Sequence, residues 1–235
     1  HTGALAADNK YLLFTDSHMV FASGWYDALI RRTENEKENV AFCGVCLGLD
    51  SEHLTLDKHR GKYSGARLSL YEKNEDQVLE GKWITEKSGE EYDISCMMGA
   101  LYFMNREYFF KIRGLSDLKM WGSDEPCLAL KILQSGGRMV LVKGIQAGHI
   151  FRNTAPYATN MSYLVYNKIR MAKTMLPDEL GDKLIDKLPK NGDFYEAMKM
   201  IEQEKEVIGE YKNYYKSIFS VTMEEICTNF NIENE

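Results

Sequence analysis

The chain has 235 residues, of which 44% are hydrophobic and 27% are charged, and its formal net charge is −6. This composition is typical of a soluble globular protein with enough apolar residues for a core, and the negative charge disfavours nucleic-acid binding as its main role. No apolar run approaches the roughly 18 residues that span a bilayer, so we predict no membrane span. The five cysteines are odd in number and scattered, which favours a reducing compartment, and we expect a cytoplasmic protein.

The first elements lead to a pair of candidate metal ligands. Small residues at Gly3–Ala7 favour a short helix, and the apolar run Tyr11–Phe14 predicts a buried strand of a parallel sheet. Because ligands bind at the carboxyl ends of strands in α/β folds, Asp16 and His18 are candidate ligands of one divalent cation. The alternative is a turn in which Asp16 caps the next helix.

The next stretch has the pattern of a helix, a connector and a strand. Gly24–Ile30 predicts an amphipathic helix, and residues 31–39 are charged and predict an exposed connector. Val40–Leu49 predicts a buried strand. It contains Cys43 and Cys46, which form a C-x-x-C pattern without a second pair, so we interpret them as core cysteines rather than a redox or metal pair.

Residues 50–93 are rich in glycine and charge and predict an excursion from the sheet. The excursion could include a hairpin formed by Leu68–Tyr71 and Val78–Ile84. Such excursions often form the substrate side of a site. Trp83 is either a packing anchor or a wall of an acceptor groove, and we favour packing.

The central part of the chain predicts further sheet and helix. Ile94–Asn105 is apolar with a break at Gly99–Ala100, and a glycine within a strand often marks close approach of a ligand. Arg106–Ile112 predicts a helical turn, and Met139–Val142 predicts a short strand. A loop beginning at Gly148 follows that strand.

The second half predicts mainly helices. Pro126 fits the first turn of a helix that ends at Ser135, with Ser123 or Asp124 as its cap. Proline breaks and helix propensity predict three further helices, at Ser162–Met175, Asp178–Lys187 and residues 193–219.

Five segments, in order along the chain, resemble the GT-A-fold glycosyltransferases, and within them the polypeptide N-acetylgalactosaminyltransferases and their bacterial family-2-type relatives. The segments are YLLFTDSHMVFASGW (11–25), MMGALYFMNREYFFKIRGLSD (97–117), MWGSDEPCLALKILQSGGRMVLV (120–142), GHIFRNTAPY (148–157) and NKIRMAKTML (167–176).

The resemblance implies an α/β class and the C-terminal part of the mixed sheet of a GT-A domain, with the strand at Tyr11 as its central divider. It divides the chain into a catalytic portion, 1–160, and a helical extension, 161–235. The strands that hold the nucleotide in this family have no counterpart before Tyr11, so the resemblance predicts that the N-terminal half is missing and the chain is a fragment.

By the same resemblance, Asp16, His18 and His149 would hold Mn2+ or Mg2+ that bridges the diphosphate of the sugar donor. A divalent cation stabilises the negative charge that develops as the sugar–phosphate bond breaks. The alternative for His149 is a core histidine with a hydrogen-bond partner. The resemblance also implies donor binding by further residues, namely Asp16, Ser17, Gly99, Ala100, Arg152 and Tyr157. Arginine suits phosphate because its planar fork donates two hydrogen bonds, and a surface salt bridge is its alternative role.

The catalytic candidates implied by the resemblance are Trp121, Asp124 and Glu125. The family pattern Gly-Gly-Glu-Asn is Gly-Ser-Asp-Glu at 122–125, so the two acids share the candidate role. An acidic residue here could deprotonate the acceptor hydroxyl. The alternatives are acids that complement the helix dipole and a tryptophan that belongs to the core.

The function implied is that of a metal-dependent glycosyltransferase, which moves a sugar from a nucleotide-sugar, UDP-linked donor to a hydroxyl of a protein or glycan acceptor. The closest family implies retention of configuration, whereas inversion is common among bacterial enzymes of this fold. We also expect a bacterial source and a homo-oligomer formed through the C-terminal helices. Two alternatives are a non-catalytic half-domain that serves in binding or assembly, and a metal-dependent hydrolase.

Overall fold

A computed structural model describes residues 1–34, 37, 39–50, 52–72, 77–85, 89, 91–99, 101–151 and 158–233. The chain forms two compact units, which are described separately. The first comprises His1–Arg67, Gly81–Lys111 and Gly137–Ala155, and the second comprises Leu68–Glu80, Ile112–Gly136 and Pro156–Glu235. The predicted division at residue 160 stays a prediction.

Most of the described strands lie in the first half of the chain, and most of the described helices lie in the second half. In chain order they are α1 (Thr2–Ala6), β1 (Tyr11–Thr15), β2 (Met19–Phe21), α2 (Trp25–Thr33), β3 (Val40–Leu49), β4 (Leu56–Tyr63), β5 (Ala66–Glu72), β6 (Gln77–Trp83), β7 (Glu91–Asp93), β8 (Leu101–Asn105), α3 (Arg106–Lys111), α4 (Asp124–Gln134), β9 (Arg138–His149), α5 (Met161–Met175), α6 (Asp178–Lys187), α7 (Gly192–Gln203), α8 (Lys205–Ile218) and α9 (Met223–Phe230).

The first unit is built on a mixed sheet with the strand order β1-β8-β3-β9-β2, in which β4 pairs with β3 and β7 pairs with β9. All ten residues of β3 are buried, as its continuous apolar run predicts. Cys43 and Cys46 are free and buried within it, so the prediction of core cysteines is confirmed. Helix α2 packs on β9, and the core there includes Leu29, Phe42 and Val140.

Strand β1 differs from its prediction. It is antiparallel to β8 and lies at the end of the strand order, and only Leu12 of its five residues is buried. Within the described sheet the strand is therefore neither mostly buried nor parallel to its partner, and its role as the central divider of a GT-A domain stays a prediction. An apolar run reports the hydrophobicity of a strand, but its place in the sheet is set by partners such as β8 that are distant in sequence.

Strand β9 is longer than predicted and ends at His149. It pairs in parallel with β3, and the register shifts between Gly44 and Val45, which lie opposite Val142 and Gln146. Residues 143–145 thus form a bulge. At Gly44 an added Cβ would lie 2.8 Å from the carbonyl oxygen of Ile145, so the sheet needs a glycine there.

The second unit contains α4, α5–α9 and the part of the β5–β6 hairpin at Leu68–Glu80. The hairpin confirms its prediction, whereas β4 was missed in the excursion. Helix α5 packs against α6, α7 and α8. The predicted helix at 193–219 is two helices that break at Glu204, and α9, which Thr222 and Glu225 cap reciprocally, was not predicted. Among the described helices, none has the length and apolar character needed to cross a bilayer.

Candidate metal centre and acidic helix

Strand pairing in the first unit brings together the three predicted metal ligands. His149 is the last residue of β9 and lies opposite Met19, the first residue of β2. His18, which directly precedes β2, is therefore next to His149, and the two imidazole rings lie 4.6 Å apart. Nε2 of His149 lies 2.9 Å from Oδ2 of Asp16, and one donor atom from each of the three residues lies within 4.8 Å of the others.

This geometry fits a divalent cation. Two ligand atoms at about 2.1 Å from a cation and at right angles to each other are roughly 3 Å apart. The separation of 2.9 Å between His149 and Asp16 agrees with that spacing. Two imidazole nitrogens and one carboxylate suit a divalent transition metal better than calcium, which prefers oxygen ligands.

The charge state of the cluster favours ligation. The hydrogen bond with His149 lowers the pKa of Asp16, and the charges of His149 and His18 lower it further, while partial burial opposes them. Asp16 is thus held as a carboxylate, the form that binds cations. Its side chain is 47% exposed, against 13% for His149, so the cluster opens to solvent on the carboxylate side.

Aromatic packing holds the His149 ring. Nδ1 of His149 is buried and has no hydrogen-bond partner among the described residues, although a second-shell partner commonly orients a ligating histidine. Phe151 packs edge-on against this ring, with the centroids 4.6 Å apart. Tyr63 and Trp83 in turn pack on Phe151 at 5.2 and 5.5 Å. The packing interpretation of Trp83 therefore agrees with its contacts, and its role as an acceptor wall stays a prediction.

The structure describes only two of the other residues predicted to bind the sugar donor. Ser17 is exposed in the turn between Asp16 and His18, and Gly99 lies in a turn just before β8. Ala100, Arg152 and Tyr157 lie outside the described residues, so their donor-binding roles stay predictions.

The predicted catalytic residues belong to the second unit and form a group of their own at the start of α4. Trp121 is 57% exposed, so the alternative of a core tryptophan is wrong. Ser123 occupies the N-cap position but has left-handed backbone and makes no capping hydrogen bond, and Asp124 is already helical. The predicted side-chain cap is therefore wrong as well, and the Oγ of Ser123 is buried without a hydrogen-bond partner among the described residues.

The two acids at the start of α4 interact. Burial raises the pKa of Glu125 to about 8, and the charge of Asp124, their mutual hydrogen bond and the charge of Glu80 contribute to the increase. A helix N-terminus would lower the pKa of an acid, so the helix dipole does not account for the raised pKa of Glu125. Glu125 therefore keeps its proton at neutral pH and can donate a hydrogen bond.

Sequence analysis missed two polar residues of the second unit that contact the Trp121 segment. Asn167, within α5, hydrogen-bonds to the backbone of Lys119 and Gly122. Glu204, at the break between α7 and α8, accepts a hydrogen bond from the Lys119 ammonium group. A clue to Asn167 was available, because asparagine is a poor helix former and lies here in a strongly predicted helix.

No protein-family model matches the chain. It is 30% identical to mouse polypeptide N-acetylgalactosaminyltransferase 5 over 201 residues, which cover 78% of this chain and 21% of that protein. It is 26% identical to polypeptide N-acetylgalactosaminyltransferase 3 of Drosophila melanogaster, with 75% of this chain and 27% of that protein covered. These relatives are animal proteins, so the predicted bacterial source finds no support.

A solved structure of GalNAc-T7 with UDP, GalNAc and Mn2+ superimposes on the chain with a TM-score of 0.68 and 20% sequence identity. The superposition covers 98% of this chain and 43% of that protein. The chain thus spans less than half the length of each protein it matches here.

Proposed function

From the premise that the chain has the GT-A glycosyltransferase fold, as predicted, and is a relative of the polypeptide N-acetylgalactosaminyltransferases, we propose that it supplies the metal-binding and acceptor-side portion of a sugar transferase. The reaction moves an N-acetylhexosamine from a UDP-linked donor to a hydroxyl group of a polypeptide. The observation that carries this proposal is the convergence of Asp16, His18 and His149 at the ends of β1 and β9.

In this proposal Asp16, His18 and His149 hold Mn2+. When bound there, the cation would supply charge stabilisation for a leaving diphosphate. The residues themselves have separate tasks: His149 is fixed by the packing of Phe151, and Asp16 contributes the negative charge that neutralises part of the cation's charge. The resemblance assigns donor contacts to the other candidates in this half, Ser17, Gly99, Ala100, Arg152 and Tyr157.

The acidic helix takes the acceptor side. Asp124 is the candidate that accepts a hydrogen bond or a proton from an acceptor hydroxyl, and Glu125, whose pKa burial raises to about 8, is a hydrogen-bond donor beside it. The exposed ring of Trp121 offers an apolar surface beside them in the chain. The resemblance implies retention of configuration, and the anomeric coupling constant of the product, measured by NMR, tests that course.

The experiment that tests the function uses the intact protein with Mn2+, a UDP-N-acetylhexosamine and a peptide that contains serine and threonine. We expect both donor hydrolysis and glycopeptide formation. Asp16→Ala and His149→Ala should lower Mn2+ affinity more than about 100-fold, because each removes a direct ligand. They should abolish transfer as well.

The matched control is Asp50→Ala, which removes another carboxylate that lies 3.1 Å from a histidine, His53, outside the cluster. This variant should bind Mn2+ and transfer sugar as the unchanged protein does. Transfer that survives in Asp16→Ala and His149→Ala would refute the metal assignment. Mn2+ binding without any turnover would favour the alternative of a binding or assembly module.

A further inference from the structure

The segment that carries Trp121 is irregular and needs external support. Residues 118–123, which we call the Trp121 loop, precede α4 and form no regular structure. Met120 and Ser123 both have positive φ, 52° and 68°, a conformation that non-glycine residues adopt at a cost in free energy. Such residues persist only where the surrounding structure holds them, so contacts from outside the loop must stabilise it.

Asn167 of α5 holds the backbone of the loop. Its side chain is fully buried, at 0% exposure. Its Oδ1 accepts a hydrogen bond from the Lys119 amide at 2.8 Å, and its Nδ2 donates to the carbonyl oxygens of Lys119 and Gly122, both at 3.0 Å. The two donors and the acceptor of the amide group are all used on the residues that flank Met120 and Trp121.

Glu204 holds the side chain at the start of the same loop. Its carboxylate accepts hydrogen bonds from Lys119 Nζ at 2.6 Å, from the Tyr166 hydroxyl at 2.6 Å and from Arg170 Nη1 at 3.2 Å. Burial alone would raise the pKa of Glu204, but the bonds from Lys119 and Tyr166 outweigh it and lower the pKa. Glu204 therefore remains an anion that ties the α7–α8 break to Lys119.

These two anchors leave Trp121 itself uncovered. The indole is 57% exposed and Met120 is 84% exposed, although the backbone between their anchors is held on both sides. A large apolar side chain on a fixed backbone is preorganised for a ligand, because little conformational entropy remains to be lost on binding.

We propose that Asn167 and Glu204 are positioning residues that hold the Trp121 ring in place for the substrate, and that orienting this loop is a function of the C-terminal helices. The inference rests on the proposed function, in which Trp121 contacts the substrate. It assigns the helices after residue 160 a role in the chemistry of the acceptor side, through contacts that lie entirely within the second unit.

The test places a fluorine label on the three tryptophans of the intact protein and assigns the Trp121 resonance with Trp121→Phe. Asn167→Ala should shift and broaden this resonance and leave those of Trp25 and Trp83 unchanged. Because a displacement of about 1 Å can lower a rate about 100-fold, kcat/KM for transfer should fall by 10- to 100-fold while Mn2+ affinity stays constant.

Asn191→Ala is the matched control. Asn191 also hydrogen-bonds a backbone amide in these helices, that of Phe194, but belongs to the cap of α7 rather than to the loop. It should leave the Trp121 resonance and kcat/KM unchanged. Glu204→Gln is the second variant, for the case that Asn167→Ala does not fold. The NH2 group of the new glutamine would face one of the three hydrogen-bond donors that Glu204 accepts from, so one of these bonds would be lost.

A Trp121 resonance that is unchanged in both Asn167→Ala and Glu204→Gln would overturn the inference, whatever the activity. The same result follows if Asn191→Ala disturbs the resonance equally, because the effect would then report general loosening of the helices. The spectra need no turnover, so a protein that fails to transfer sugar refutes the proposed function and still allows the positioning of Trp121 to be judged.

Discussion

Two groups of charged side chains in this molecule are built in opposite ways. In the second unit Lys131 and Asp117 are 0% and 1% exposed, and Nζ of Lys131 lies 2.6 Å from Oδ1 of Asp117. Lys131 also donates to the carbonyl oxygen of Gly114 at 2.5 Å, and the Tyr215 hydroxyl donates to Asp117 at 2.9 Å. In the first unit the Asp16–His18–His149 cluster is partly open to solvent, and the buried Nδ1 of His149 has no hydrogen-bond partner within the described part of the chain.

The contrast separates a structural network from a binding site. In the Asp117–Lys131–Tyr215 network each charged group has a partner within the chain, so no group is left to bind a ligand. Burial raises the pKa of Tyr215, so its hydroxyl stays protonated and donates to Asp117. The metal cluster has one donor atom from each of three residues within 4.8 Å of the others, and its carboxylate side is open to solvent. A solvent-accessible group of donor atoms indicates a binding site, whereas a buried network of paired charges indicates a structural role.

The largest effect is expected at Lys131. Lys131→Met keeps much of the apolar stem but leaves the Asp117 carboxylate buried without its cation, which should lower the free energy of unfolding by about 3–5 kcal/mol. Urea denaturation measures this change. The control is Lys216→Met on α8, where the side chain is exposed and the change should stay within about 0.5 kcal/mol. A loss below about 1 kcal/mol for Lys131→Met would remove the distinction between the two groups.

The metal cluster should respond to a ligand rather than to the loss of a partner. At a Mn2+ concentration about 100 times its Kd, mass action should raise the free energy of unfolding of the first unit by about 2.7 kcal/mol, and EDTA should reverse the gain. His18→Ala should show almost none of it. His53→Ala, a surface histidine outside the cluster, should keep all of it, and equal gains in the two variants would contradict the site.

A third group, the Asp124–Glu125 pair, lies between these extremes. The pKa of Glu125 is raised to about 8 from its ordinary value of 4.5, so between these pH values the folded protein keeps a proton that the unfolded chain has released. Stability should therefore fall as pH rises from 5 to 8, by at least about 1 kcal/mol. Glu125→Gln should remove that part of the slope in denaturation curves, whereas Glu206→Gln, an exposed acid on α8, should retain it.

The smallest effect is expected at Cys46. This thiol lies in β3 near Asp16, but burial raises its pKa to about 12, so it remains a neutral thiol rather than a ligand. Cys46→Ala should change Mn2+ affinity by less than about twofold, measured by titration calorimetry, against the large loss in Asp16→Ala. A tenfold loss would extend the cluster to a fourth ligand.

Local patterns were readable from the sequence, and long-range partners were not. The bounds of β3 and α6 match their predictions, because an unbroken apolar run and a preceding proline are local features. The antiparallel pairing of β1 was missed, since its partner β8 is distant in the sequence. The break at Glu204 has no glycine or proline to mark it, and its three partners lie 34 to 85 residues away in the sequence.

The candidate site shows the same division. Asp16 and His18 were visible as neighbours, but His149 is 133 residues from Asp16 and entered only through the resemblance to a known family. The role of Asn167 could not be read, because its hydrogen bonds reach backbone groups 45 and 48 residues away. Backbone atoms leave no trace in the residue types of a sequence.

The bulge in β9 makes the length of a strand part of the metal chemistry. Successive side chains of a strand point to opposite faces, so a slip of one residue in the pairing after the bulge would turn His149 to the far side of the sheet. A slip of two residues would restore the face but carry the imidazole about 7 Å along the strand, beyond the reach of Asp16. The register that β9 resumes after the bulge therefore decides whether the third ligand lies beside the other two.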